Sequence, residues 1–170
     1  RLLDLETVNY EGEVVKVRDL RLDLGYGVSR SPKKVPIYIG ATGPKMMELA
    51  GEIADGVFHN FFTSVGYLRQ SLDRVERGAQ RAGRLLQDID MPRMMAVAMS
   101  EDAETARNTA RFDVIMYLGQ QPHIAKASGV DEDVIQAVHD TMGGWPPREG
   151  GIEAAMPLVG DDLVDLLTAA

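Results

Sequence analysis

The chain contains no cysteine, which excludes a disulfide-stapled scaffold. Positive charge is scarce. Eighteen Lys and Arg face 26 Asp and Glu, a net charge of −8, and this argues against nucleic acid as a main partner, because phosphate backbones require clustered basic residues. Nothing approaches the ~20 consecutive apolar residues of a membrane span, and no charged-then-apolar leader opens the sequence, so no signal peptide is expected. Aromatics are few, at 6%, but hydrophobic residues reach 45% of the 170. That is too apolar for a disordered chain and enough to bury a core. These limits point to a cytoplasmic enzyme or binding protein. The ends read differently. Arg1–Leu5 resembles the last turns of a helix already under way, and Leu166–Ala170 follows a helix that nothing caps. Neither reads as a natural terminus, so a piece of a longer protein is expected.

Thr7–Tyr10 and Glu13–Val17 are β-rich and flank Glu11-Gly12, a hairpin pattern. A polar link over Ser29–Lys34, holding Pro32, leads to the apolar run Val35–Ile39, broken by Gly40-Ala41-Thr42-Gly43-Pro44. The run suits a short strand buried on both faces. A helix is expected from Pro44 to about Ala54, then a strand over Val57–Phe62. The next helix is capped by Thr63 or Ser64 and carries the stripe Leu68, Leu72, Val75, Ala79, Ala82. A third strand is expected over Arg93–Met99. A third helix follows, capped by Ser100, with the stripe Ala103, Ala106, Ala110, Val114, Tyr117, Leu118. Strand–helix alternation over residues 35–119 indicates right-handed βαβ units and a parallel sheet. Beyond Gly119 the pattern changes. A helix runs from Asp131 to Met142, a loop spans Gly143–Gly151, and a last helix starts at Asp161.

Parallel α/β folds bind ligands at the C-terminal ends of their strands. Three places qualify: Gly40–Pro44, His59–Thr63 and Met99–Glu101. In the first, the glycines admit close approach to the backbone, and Pro44 suits the first position of a helix. The free N–H groups of that turn make an anion site, to which Thr42 adds a hydroxyl. The same residues are also common at any strand-to-helix turn, and this is neither a P-loop nor a G-x-G-x-x-G fingerprint. His59 and Asn60 interrupt an apolar run. They either face a ligand at the sheet's end or mark where the strand meets water. His123 and His139 are isolated, and no spacing suggests a metal site. Asp131-Glu132-Asp133 reads as a helix start, and the nine methionines as core filling. Trp145, in a Gly/Pro-rich loop, is either a flap over a site or a pin for an insertion.

The 26-residue segment Val35–Asn60, VPIYIGATGPKMMELAGEIADGVFHN, resembles the hallmark segment of the bacterial luciferase-like oxidoreductases. It is most similar to their coenzyme F420-dependent branch, which includes methylenetetrahydromethanopterin reductase. The strand, the Gly-Ala-x-Gly-Pro turn, Glu48-Leu49-Ala50-Gly51 and Ala54-Asp55-Gly56 match in order and spacing. Glu6–Leu22 resembles the family's hairpin insertion, and Met94–Gly119 its seventh strand and following helix.

The resemblance implies an α/β fold, a (β/α)8 TIM barrel of the luciferase-like type. Only about strands five to seven plus insertions are expected in this chain, since a whole barrel takes ~250 residues. Residues 1–170 would then be part of a single barrel domain: a hairpin insertion at 7–22, three βα units at 35–119, and a helical and loop region at 120–170. The implied activity is hydride transfer between F420 and a small organic substrate. The alternatives are an FMN-dependent monooxygenase, a non-catalytic half-barrel, or an unrelated phosphate- or sugar-binding barrel. By resemblance, Ala41, Thr42 and Gly43 would hold the cofactor's phosphate end, with Gly40 and Pro44 shaping the turn. Phe58 and Asn60 would line the barrel mouth, with His59 and Trp145 as further mouth candidates. The catalytic residues are expected outside this chain, leaving it inactive alone. The intact protein is expected to be a cytoplasmic dimer.

Overall fold

Glu11 and Lys16 set the register of the N-terminal hairpin. Their side chains pair at 2.7 Å, and the residues face each other across the antiparallel strands β1 (Val8–Glu11) and β2 (Lys16–Leu20). The hairpin is where the sequence places it, but its turn is displaced. Gly12–Val15 forms the connection, closed by a bond from the Gly12 N–H to the Val15 carbonyl, so β2 begins later than Glu13. Val14 stands 94% exposed at the tip, because the charge pair and not the β-propensity of Val14-Val15 decides the pairing. Ahead of the hairpin, Leu5 takes a left-handed conformation at φ 62°. The Glu6 N–H reaches the Arg1 carbonyl and the Leu5 N–H that of Leu2, the two bonds of a Schellman helix ending.

The structure, a computed structural model, describes residues 1–22, 25 and 34–168. The expected polar link at Ser29–Lys34 lies outside these except for Lys34. Residues Arg1–Ile37 and Tyr38–Ala170 form two compact units. The second is built on a parallel pair, β3 (Tyr38–Gly40) and β4 (Gly56–Phe58), with register Tyr38↔Gly56, Ile39↔Val57 and Gly40↔Phe58. Asp90 and Arg93 extend the sheet through bridges to Gly56 and His59. Parallel pairing is thus as expected, but the strands are shorter than the apolar runs. The run at Val35 pairs only from Tyr38. The one at Val57 pairs through His59 and then leaves the sheet at Asn60–Phe62, where Phe62 turns to φ 54°. The third strand pairs at Asp90–Arg93 and not along Arg93–Met99, because its partner turns away.

The helices follow their caps. α1 (Pro44–Ile53) opens on Pro44. α2 (Val65–Arg81) opens on Ser64, whose hydroxyl accepts the Tyr67 N–H at 3.1 Å. Its buried face is Tyr67, Ser71, Val75, Gly78 and Ala79, rotated from the expected stripe so that Leu68 and Leu72 flank it. α3 (Ala103–Gln120) is capped by Asp102 and not Ser100. The Asp102 carboxylate takes both the N–H (2.8 Å) and the hydroxyl (2.6 Å) of Thr105, and a carboxylate at a helix N-terminus outcompetes a hydroxyl. The short α4 (Pro122–Ala127) escaped the sequence reading. α5 (Glu132–Met142) starts at Asp131 and ends on left-handed Gly143. The loop closes at Gly150, since α6 (Gly151–Ala155) begins at Gly151, and α7 (Asp161–Leu167) follows.

α1 and α2 meet through glycines. A Cβ on Gly78 would stand 1.8 Å from the Glu48 carbonyl oxygen, and one on Gly51 2.1 Å from that of Val75. Only hydrogen fits at either point. Glu48 then ties the crossing with Arg74 at 3.2 Å and Arg81 at 3.0 Å, and those guanidinium hydrogen bonds hold its carboxyl below the usual range. The Glu48–Gly51 stretch therefore fixes how α1, and with it the turn before α1, is held over the sheet.

Candidate active site

Alternation along the sheet separates two faces. Val57 and His59 point into the core, at 0% and 3% exposure. Tyr38, Gly40, Gly56, Phe58 and Asp90 share the other face. Tyr38 lies across Gly56, where a Cβ would meet its ring at 2.2 Å, and donates its hydroxyl to Asp90 Oδ2 at 2.6 Å. That bond raises the tyrosine's pKa. Phe58 meets the Tyr38 ring edge-on at 6.4 Å. Both rings are about two-fifths exposed, so this face carries an open aromatic pair. The role of Tyr38 escaped the sequence reading, although its alternation with Gly40 would have placed it beside Phe58.

The turn Gly40–Pro44 sits at the end of β3. Gly43 caps α1 in an extended conformation, φ −101° and ψ 152°, with no side-chain cap. Its carbonyl accepts the first helical N–H, from Met47. The N–H groups of Lys45 and Met46 therefore lie in the first turn, where a helix offers them no acceptor of its own, and the Gly43 N–H finds none among the described residues. Neither Gly40 nor Gly43 has a positive φ, and a Cβ on either would meet nothing within 4 Å. The chain's own packing thus does not demand glycine here. A ligand lying against the backbone would. Ala41 is buried, so only its backbone is on offer, whereas Thr42 is exposed. The Thr42 carbonyl is held from behind by the buried Tyr67, whose hydroxyl donates to it at 3.0 Å.

The segment after β4 is tied to α3. Asn60 donates its Nδ2 hydrogen to the Tyr117 hydroxyl at 2.9 Å and accepts the Phe61 N–H at 3.0 Å. Phe61, Phe62 and Tyr117 form an aromatic cluster with ring separations of 4.9 to 5.3 Å. Burial, foremost, raises the pKa of Tyr117. Beside the cluster opens a cavity of about 580 Å³, lined chiefly by Phe61, Phe62, Met94, Met95, Met116 and Tyr117, with Asp113 among its walls. The sequence offered Tyr117 only as part of a core stripe. His59 sits beneath this segment with its Nε2 buried and unpartnered, and burial lowers its pKa. Trp145 packs toward α3, its Cε3 lying 3.3 Å from where a Cβ on Gly119 would stand. That contact favours the pin over the flap. Among the described residues, no helix is long and apolar enough to cross a membrane.

The whole of residues 1–170 matches the family described as luciferase-like monooxygenase. The chain belongs to that family. It is 29% identical over 175 residues to 5,10-methylenetetrahydromethanopterin reductase of Archaeoglobus fulgidus, covering 99% of this chain and 48% of that protein. It is 36% identical over 112 residues to F420-dependent glucose-6-phosphate dehydrogenase of Microbacterium testaceum, covering 63% and 31%. Among solved structures, it matches the coenzyme F420-dependent tetrahydromethanopterin reductase of Methanopyrus kandleri. The TM-score is 0.77 at 26% identity, over 98% of this chain and 46% of that one. The α/β fold is accordingly that of the luciferase-like family. The chain spans about half the length of the relatives it matches.

Proposed function

We propose that the protein is an oxidoreductase that transfers a hydride between coenzyme F420 and a small organic substrate. The single observation that carries this reading is the open glycine turn. Gly40 and Gly43 leave room along the backbone that nothing in the described chain fills, at the end of a parallel strand and the start of a helix. Its relatives named as F420-dependent support the choice of cofactor.

When bound, the deazaflavin supplies the hydride carrier. The chain's own residues bind and orient. The backbone N–H groups of Gly43, Lys45 and Met46 would hold the phosphate end, helped by the helix dipole and the Thr42 hydroxyl. Gly40 and Ala41 would let the ligand lie against the strand end, and Pro44 fixes the helix start. Phe58, with Tyr38 beside it, would line the barrel mouth and keep water from one side of the ligand. Asn60 gives one amide hydrogen to Tyr117 and accepts one from Phe61, so it would offer a ligand its second amide hydrogen and its oxygen's other lone pair. His59, buried and kept neutral, would support the mouth from beneath. Trp145 would anchor the loop after α5.

On this reading residues 1–170 are part of one barrel domain, contributing about strands five to seven. The catalytic groups lie outside them, and the chain alone is inactive. The working protein is a cytoplasmic dimer. A flavin monooxygenase of the same family is the alternative, and oxygen uptake separates the two. The native gene product is expected to bleach or restore the 420-nm absorbance of F420 with its substrate. It should consume no oxygen beyond the background when given reduced FMN. Oxygen uptake with reduced FMN would sink the proposal.

A further inference from the structure

We infer that Tyr67 is a positioning residue for the phosphate end of the cofactor, acting through the Thr42–Gly43 peptide. This rests on the reading of Gly40–Pro44 as the phosphate turn. In a trans peptide the C=O and N–H point in opposite directions. The Tyr67 hydroxyl holds the Thr42 carbonyl toward α2 at 3.0 Å. The Gly43 N–H, on the other end of the same peptide, is thereby aimed away from α2, and it has no acceptor among the described residues. A Cβ built on Gly43 would meet nothing within 4 Å, so there is room for a ligand beside the residue that carries this N–H.

The pin matters because the peptide it holds is an easy one to turn over. Glycine after the peptide bond tolerates backbone angles closed to other residues. A flip would replace the Gly43 N–H with the Thr42 oxygen, setting a negative dipole against an anion. Tyr67 resists the flip from a rigid base. It is 5% exposed, its own N–H is held by the Ser64 cap, and its carbonyl accepts the Ser71 hydroxyl at 2.9 Å. α2 in turn is seated on α1 by the Gly51 and Gly78 contacts, so the hydroxyl stands on one helix and its acceptor in the turn that opens the other.

The test compares two ligands on the native gene product: F420, and the same deazaflavin without its phosphate-bearing tail. Tyr67→Phe removes one oxygen. It is expected to weaken F420 about fivefold, the effect of one lost hydrogen bond, and to leave the phosphate-free ligand unchanged. A residue that merely supports the fold would weaken both alike. That result, or no change in either, overturns the inference. Tyr67→p-aminophenylalanine keeps a donor at the end of the ring and is expected to bind both ligands as the native protein does. An F420-selective loss in that variant would also overturn it, and this arm stands even if Tyr67→Phe fails to fold. Gly43→Val separates the two readings. If it weakens both ligands equally or neither, the phosphate turn itself is wrong. If it weakens F420 alone while Tyr67→Phe does nothing, only the role of Tyr67 falls.

Discussion

The Tyr67 hydroxyl donates to the Thr42 carbonyl across 3.0 Å, joining the buried face of α2 to the turn that opens α1. Through that bond, residues 25 positions apart settle which backbone groups the turn presents. The carbonyl is consumed inside the protein, and N–H groups are what remain. A turn that offers donors, has no side-chain cap and leaves open space beside two glycines suits the proposed phosphate end of the cofactor.

Gly43 gives the first prediction. A Cβ there would meet nothing within 4 Å, and φ −101° is open to valine. Gly43→Val should therefore leave the melting temperature within a few degrees of the native value. It should weaken F420 at least tenfold, a loss of about 1.4 kcal/mol, in a fluorescence titration. Unchanged affinity would remove the turn from the site.

The helix crossing behaves oppositely. Gly78→Ala places a Cβ 1.8 Å from the Glu48 carbonyl oxygen, and backbone cannot step aside as a flexible side chain can. Denaturant unfolding should show a loss of about 2–3 kcal/mol, the upper range for overpacking. Gly66→Ala, in the same helix but 3.6 Å from its nearest neighbour, should be neutral or slightly stabilising. Similar losses in both would mean that the close approach to Glu48 is not what sets the effect.

His59 predicts a pH dependence. Burial lowers its pKa, so the folded chain resists a proton that the unfolded chain accepts below about pH 6.5. Stability is then whole above that value and declines as the pH falls from it toward the depressed folded pKa. Glu48 and Asp102, whose carboxyls are also held low, act in a more acidic window. Unfolding between pH 7.5 and 5.5 should show the decline, and His59→Phe should flatten it. A slope that survives the substitution would assign the effect elsewhere.

Asn60 and Tyr117 should be energetically coupled. Their hydrogen bond spans 2.9 Å in a partly buried setting. A double-mutant cycle with Asn60→Ala and Tyr117→Phe should return a coupling of about 1 kcal/mol. A value near zero would leave the aromatic cluster, and not this bond, as what holds the segment after β4.

Much of this arrangement was legible in the residues, and the misses share a cause. Pro44, Ser64, Asp131 and Gly143 sit where local chemistry alone ends or begins a helix, and the structure uses each of them so. The Gly40–Pro44 turn was found by the same local logic. What local logic missed depends on distant partners. The hairpin turn moved because Glu11 finds Lys16. The third strand moved because its neighbour turns away at Asn60. The buried face of α2 rotated because Gly78 must meet Glu48. Tyr67, Tyr117 and Tyr38 each act through a hydroxyl whose acceptor or donor lies 25 to 57 residues away, and no spacing in the sequence announces that.

The central claim is most directly tested by a competition titration on the native gene product, with F420 and FMN offered to the same site. The account predicts that F420 binds more tightly and displaces FMN, and that Gly43→Val weakens F420. FMN binding the more tightly, or an F420 affinity unchanged by Gly43→Val, would contradict it.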